Sequence, residues 1–405
     1  MKLETVAATA VAFFSCCLAW AGPPAPVAAP PAAVEAPKLN TSEIARKIVR
    51  SANLKEKDLV TVRGGARDEA LLDDIALEVA KIGAHPLRVF LSERYSQRWW
   101  DEVPARNDPL LVAAQLKLVN AVDADINVEW VENPGYLSGV LPERQAAGNK
   151  AQRLVNDARL KKSTRIVNLG NGLYPTDSLA KRFGISKPDL TKLFWDAVNV
   201  DYAQLKTTGE VVRNVLKKGQ ELRLTNPNGT DLTMRVAGRP VFVSDGVLTD
   251  EKVKKGGASC LVWLPAGEVY LAPVAGTAEG KVVLERSWYD DKEIRDLKLT
   301  FKAGKLVDMS AKSGAESLKV AYAAAGPGKE TFGLIDIGIN PNFPANTKVL
   351  SYIPAGMVTI GLGGDTWAGG TNASEFSFEG FQGNSTVEVD GKKVVEAGVL
   401  KLMDL

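Results

Sequence analysis

At 405 residues, with 45% hydrophobic and 24% charged side chains, the chain can bury a sizeable core and, by length, form roughly two or three domains. Fifty Lys and Arg against 48 Asp and Glu leave a formal charge of +2, which removes any whole-chain electrostatic case for nucleic acid or an anionic membrane. A single histidine excludes most imidazole-dependent chemistry, so function has to be sought in individual sites.

Residues 1–21 read as a secretory signal: Lys2 precedes the apolar run Val6–Leu18, and Ala19-Trp20-Ala21 supplies a small-x-small cleavage pattern. That run is too short to span a bilayer, and no later stretch approaches the roughly 20 apolar residues a spanning helix needs. Cleavage after Ala21 gives an exported protein, periplasmic or extracellular; the competing reading is a lipid anchor on Cys16, which follows Phe13-Phe14-Ser15. Cleavage also removes Cys16 and Cys17, leaving Cys260 without a disulfide partner; preceding Leu261-Val262-Trp263, it reads as a small buried hydrophobe. Residues 22–39, rich in Pro and Ala, form a semi-extended tether.

Folding is expected to begin at Asn40 or Thr41, polar capping residues ahead of Glu43, Ile44 and Ile48. Strand and helix signals then alternate. Leu59–Val62 is a short strand, followed by Gly64-Gly65 and a helix with Leu71, Leu72, Ile75, Val79 and Ile82 at a 3.6-residue period. Strand Leu87–Leu91, helix Pro109–Asn120, strand Ile126–Val131, helix Glu143–Leu160 and strand Arg165–Leu169 continue the pattern. Such alternation implies an open α/β domain with a mostly parallel sheet, placed at residues 40–206. After about Thr207 the texture becomes period-2: Leu222–Thr225, Leu232–Val236, Val282–Leu284, Leu297–Phe301, Val358–Gly361 and Thr386–Val389, the last followed by the hairpin dipeptide Asp390-Gly391. With Gly314–Ala324 as its clearest helix, residues 207–405 read as a mostly antiparallel β domain.

Several blocks, in order, resemble the aminopeptidase T and aminopeptidase S family of dimetal peptidases, the thermophilic metalloprotease type, over nearly the whole chain after the tether. They are Gly83-Ala84-His85-Pro86, Asn133-Pro134, Tyr174-Pro175-Thr176, Gly229-Thr230-Asp231-Leu232-Thr233, Gly238-Arg239, Leu264–Pro273, Gly338-Ile339-Asn340-Pro341 and Gly369-Gly370-Thr371-Asn372. The resemblance implies an α/β domain joined to a β domain holding two zinc- or cobalt-type ions, which activate water against the amino-terminal peptide bond. It also implies a homodimer and a ligand-binding interdomain cleft for a peptide or small molecule. The scaffold is similar, too, to that of iron-dependent dihydroxypyridine dioxygenases, whose metal needs two histidines and an acid.

Position by position, the resemblance aligns Glu268 with the first glutamate ligand and Leu334 with the second. Thr359 stands where a histidine is expected, Asp365 near an expected tyrosine, and Ser377-Phe378-Glu379 where a His-x-Asp pair belongs. Leu334, Thr359 and Ser377 are thus positions where ligands are lost, and no histidine follows His85, itself a structural residue at a helix-to-strand turn. The same absence removes dioxygenase chemistry and any Ser-His-Asp or Cys-His hydrolase. Gly361-Leu362-Gly363-Gly364 lacks the strand-to-helix context of a phosphate loop.

Three functional readings remain. One is a non-catalytic peptide- or partner-binding module with no cation. The second is a metal-dependent aminopeptidase or hydrolase with a rebuilt site, in which Glu268, Glu379 and Asp365 hold one hard cation; all-oxygen ligands suit Mg²⁺, Mn²⁺ or Ca²⁺ better than Zn²⁺ or Co²⁺. The third is an aminopeptidase whose catalytic groups are not legible.

Overall fold

The computed structural model describes residues 40–402 except 134, 138, 346 and 347, and only the backbone at 142, 143, 146 and 149. The signal, the tether, Cys16 and Pro134 lie outside the described residues. The first helix, α1 (Thr41–Ser51), starts as expected: Asn40 Oδ1 accepts the Glu43 N–H at 3.2 Å, satisfying one of the free donors of the first turn.

In chain order follow β1 (Leu59–Gly64), α2 (Glu69–Lys81), β2 (His85–Phe90), α3 (Glu93–Glu102), α4 (Asp108–Ala121), β3 (Ala124–Val128), α5 (Pro142–Lys162), β4 (Arg165–Leu169), α6 (Asp177–Phe183), α7 (Lys187–Val198) and α8 (Tyr202–Lys218). The α2 stripe buries Leu71, Leu72, Ile75 and Val79. Ile82 caps the helix instead and is 40% exposed. The strand expected at Ile126–Val131 runs two residues earlier and ends at Val128. Beyond it the Glu129 carboxylate accepts the N–H groups of Trp130 and Val131 at 3.1 and 3.2 Å, taking donors a strand would have paired.

The β-rich part contributes β5 (Glu221–Asn226), β6 (Thr230–Arg235), β7 (Phe242–Ser244), α9 (Asp250–Lys255), β8 (Leu261–Leu264), β9 (Glu268–Leu271), β10 (Glu279–Tyr289), β11 (Lys292–Lys302), β12 (Lys305–Ser310) and α10 (Glu316–Ala324). It closes with β13 (Phe332–Gly338), β14 (Asn340–Pro344), β15 (Pro354–Ala355), β16 (Val358–Gly363), β17 (Ser377–Gln382), β18 (Thr386–Val389), β19 (Lys392–Glu396) and β20 (Val399–Leu400).

Three sheets organise all of these strands but β14 and β15, which pair with each other. The first is parallel throughout, in the order β2-β1-β3-β4-β8. The second is antiparallel with eight strands, β12-β11-β10-β6-β5-β18-β19-β20, and the third antiparallel with five, β17-β16-β13-β9-β7. The chain is therefore α/β with a parallel sheet, then antiparallel β, as its alternation indicated. Residues 206 and 207, where the change of texture was read, lie within α8, and β8 from the later half supplies the edge strand of the parallel sheet.

That edge strand positions everything that follows. From Leu264 the chain leaves the parallel sheet, crosses through Pro265-Ala266-Gly267 and enters the five-stranded sheet at Glu268. The crossing is tight: Gly267 has φ +133°, and a Cβ there would come within 2.7 Å of Asn340 Cβ and 2.9 Å of Asn340 N. Asn340 is fully buried, and its Nδ2 donates to Ala266 O at 2.7 Å and Ala197 O at 3.0 Å. Two of the blocks that carry the family resemblance thus pack on one another.

Candidate functional site

Side chains alternate across a strand, so the register of the five-stranded sheet assigns its faces. Val243, Val269, Ile337 and Val358 share one face, against which α8 packs; Gly209 of that helix has no room for a Cβ beside Val243. The opposite face carries Phe242, Glu268, Tyr270, Leu334, Asp336, Thr359, Gly361, Ser377, Glu379 and Phe381. The fold therefore places Glu268, Glu379, Leu334, Thr359 and Ser377 on a single surface. It does not bring them all together.

Glu268 lies opposite Gly338; the next rung runs Tyr270, Asp336, Thr359, Phe381; the one after it Leu334, Gly361, Glu379. Glu268 and Glu379 are thus three strands and two rungs apart, and three strand spacings alone are about 14 Å. Asp365 lies beyond the end of β16, where its Oδ1 accepts the Asn372 N–H at 2.7 Å and its backbone closes the 365–372 loop. His85 starts β2 at the far edge of the parallel sheet and is exposed. Cys260 is buried before β8, where loss of solvation pushes its thiol up, as befits a packed residue.

The carboxylate that sequence reading missed is Asp336, 1% exposed in the middle of β13 and diagonal to Glu268. Its Oδ1 has no hydrogen-bond partner, and neither does Oγ1 of the buried Thr359 directly across the β13–β16 pair. Burial, then the nearby Glu268, hold the Asp336 carboxyl well above the usual range. Burial likewise pushes Glu268 up to about 7, against the opposing effect of Asn171, whose Nδ2 donates to Oε1 at 3.1 Å from the loop after β4. A sequence signal for Asp336 existed. An Asp inside the apolar run Phe332–Ile339, in phase with Leu334, had to face either a partner or a cavity.

Glu268 opens into a cleft of about 410 Å³ at the carboxyl ends of β4 and β8, where open α/β sheets bind ligands. Asn171, Trp263, Tyr270, Tyr352 and Trp367 line it, together with Lys252, whose charge is met by Asp245. The Tyr270 and Trp367 rings lie 5.2 Å apart, and Phe242 stacks on Tyr270 at 5.4 Å. Tyr352 packs edge-on to Phe381 at 5.0 Å, and its phenol is pushed up by burial and then by Glu379, Asp336 and Glu268.

These residues do not fit a pair of transition ions. Leu334 forms a small buried apolar cluster with Ala272 and Ala368, against which Tyr270 and Tyr352 pack, so aromatic rings occupy the space above a position that has become hydrocarbon. Thr359 and Ser377 offer hydroxyls and the sheet offers no imidazole, whereas zinc and cobalt favour nitrogen-containing sets. Among the described residues no three His, Cys, Asp or Glu side chains are grouped to hold a metal.

No curated protein matches the chain. Among solved structures it is similar to wild-type AmpT from Thermus thermophilus, at 17% identity and a TM-score of 0.67, over 89% of this chain and 98% of that one. It is also similar to 2,5-dihydroxypyridine dioxygenase from Pseudomonas putida KT2440, at 14% identity and 0.58, over 89% and 96%. At such identities these likenesses establish the fold. A family model, thermophilic metalloprotease (M29), matches residues 39–327; it includes Glu268 and stops ahead of β13, so Asp336, Thr359 and Glu379 lie beyond it. On that match, and on the fold around the Leu264–Pro273 crossing, the chain belongs to the thermophilic metalloprotease (M29) family of metallo-aminopeptidases.

Proposed function

We propose that the protein is an exported, non-catalytic member of its family, in which the cleft beside Glu268 binds a peptide or partner instead of cleaving one. The observation that carries this reading is the Leu334 cluster: hydrocarbon and two tyrosines stand where the family resemblance requires a charged ligand. The remaining acids support it, being spread over three strands and three rungs. Export rests on Lys2, the Val6–Leu18 run and Ala19-Trp20-Ala21. The homodimer implied by the family completes the reading; light scattering on the purified protein should report twice the chain mass.

Elemental analysis combined with hydrolysis of an aminoacyl chromogen, with and without added Co²⁺ or Zn²⁺, tests the central claim. The expected result is no turnover above the blank and no stoichiometric transition metal. Two bound metals per chain, with activity abolished by Glu268→Gln, would overturn it.

A second reading draws on the unpartnered oxygens of Asp336 and Thr359, which would suit one hard cation near Glu268. It requires a single Mg²⁺ or Ca²⁺ per chain that Asp336→Asn releases. Retention of the ion by that variant, or its absence from the wild-type protein, rejects it.

A further inference from the structure

The α/β part leaves one surface uncovered. The helix α4 joins β2 to β3 and α5 joins β3 to β4, so right-handed crossovers lay both helices side by side on one face of the parallel sheet. They run in the same direction: near their starts Arg144 Nη2 donates to Asp108 Oδ1 at 2.8 Å, and near their ends Lys162 Nζ donates to Asn120 O at 2.9 Å. Toward the sheet α4 buries Val119 and α5 buries Val155. Away from it, at helical spacing and exposed, lie Leu110, Ala114 and Lys117 on α4 and Lys150, Leu154 and Lys161 on α5.

This surface is apolar and basic at once. Leu110, Leu154 and Leu141, the residue just before α5, are 67%, 55% and 68% exposed, and α4 has two charged residues, Asp108 and Lys117. Together the two helices carry seven Lys and Arg against three Asp and Glu, a net +4 in a chain of +2, so the remainder of the chain is −2. Arg144 and Arg159 are committed to Asp108 and Asp125, whereas Lys117, Lys150 and Lys161 pair with no acid among the described residues. A second copy is a poor occupant, because a two-fold contact would set two net positive surfaces against each other. Leucines beside unpaired lysines instead match the boundary of an anionic bilayer, where hydrocarbon receives the apolar side chains and headgroups meet the amines. We propose that the α4–α5 face docks the protein peripherally on an anionic lipid surface, independently of the cleft beside Glu268. No helix among the described residues is long and apolar enough to cross a membrane, so the contact is adsorption at the headgroup boundary.

The test is cosedimentation with vesicles of the protein taken from Gly22, so that neither the Val6–Leu18 run nor Cys16 can bind lipid. Vesicles of phosphatidylglycerol and phosphatidylcholine in equal parts are compared with vesicles of phosphatidylcholine alone. Binding to the mixed vesicles should be roughly tenfold or more tighter, and should weaken as salt is added. Leu110→Ser with Leu154→Ser should weaken it about tenfold, as should Lys117→Gln with Lys150→Gln and Lys161→Gln. Lys217→Gln with Lys218→Gln, two exposed lysines of α8, should leave it unchanged. Absence of binding to the mixed vesicles, equal binding to both compositions, or an equal loss in the α8 variant overturns the proposal. Binding to polyglutamate in place of vesicles would assign the face to an acidic protein instead. Self-association abolished by the leucine variant, with no vesicle binding, would assign it to a second copy.

Discussion

Glu268 is held in a state opposite to that of most surface carboxylates. Folding raises its affinity for a proton, to about 7 against an unfolded value near 4.3, because burial penalises the anion more than the Asn171 amide stabilises it. Between those two values the native state binds more protons than the unfolded chain, so stability falls as pH rises through that window and levels off above about 7. In urea unfolding at pH 5 and pH 8, Glu268→Gln should lose about 1–3 kcal/mol less than the wild-type protein between the two conditions. Parallel profiles would place Glu268 in solvent. Asp336→Asn is expected to act in the same direction, since burial and Glu268 both oppose its charge. Of this pair, Glu268 was legible within Leu264–Pro273, whereas Asp336 was not, because no ordered block marks it and only the pairing of β13 puts it on the face of Leu334, two residues away. Strand alternation alone makes those two positions neighbours on one surface.

The Leu264–Glu268 crossing is the element on which the site depends, since three residues carry the chain from one sheet into another. Gly267→Ala adds a Cβ against the backbone of Asn340 in a conformation that disfavours any L side chain. It should cost at least about 2 kcal/mol in chemical denaturation. Gly391, with φ +81° and open space around it, is the control, and its Ala variant should cost only about 1 kcal/mol. Equal losses would mean that conformation, and not contact with Asn340, sets the effect. Replacing Asn340 by Leu leaves the Ala197 and Ala266 carbonyls without donors and should destabilise by about 2–4 kcal/mol, read from the same melts. Elements with strong alternation or strong period were readable: β4 and β18 have the expected bounds, α1 starts where its capping residues indicate, and α2 stops within two residues of Gly83. The helix α8 was obscured because its buried stripe, Leu205, Gly209, Val212 and Leu216, includes a glycine that sequence reading treats as a breaker but that Val243 requires for close packing.

At the scale of the whole molecule, one continuous buried cluster extends from Ile44 and Val62 through Leu205 and Leu264 to Leu299 and Val395. Because β8 completes the parallel sheet from the later half of the chain, residues 40–402 should unfold in urea as a single transition seen alike by far-ultraviolet circular dichroism and tryptophan fluorescence. A fragment ending at residue 218 would expose the β4 edge, and it should lack a cooperative transition. Two separated transitions in the intact protein would show that the halves fold independently. The amino-acid order by itself determined the two textures, the parallel and antiparallel sheets they imply, the family, and the loss of imidazole ligands, because each is a property of local period, composition or an ordered block. Only the tertiary structure decided that Leu334 became the floor of an aromatic cluster, that Asp336 joined Glu268 on one face, and that Glu379 stood apart. Strand register and the crossing from β8 to β9 set those distances, and both depend on pairing between segments far apart in the chain.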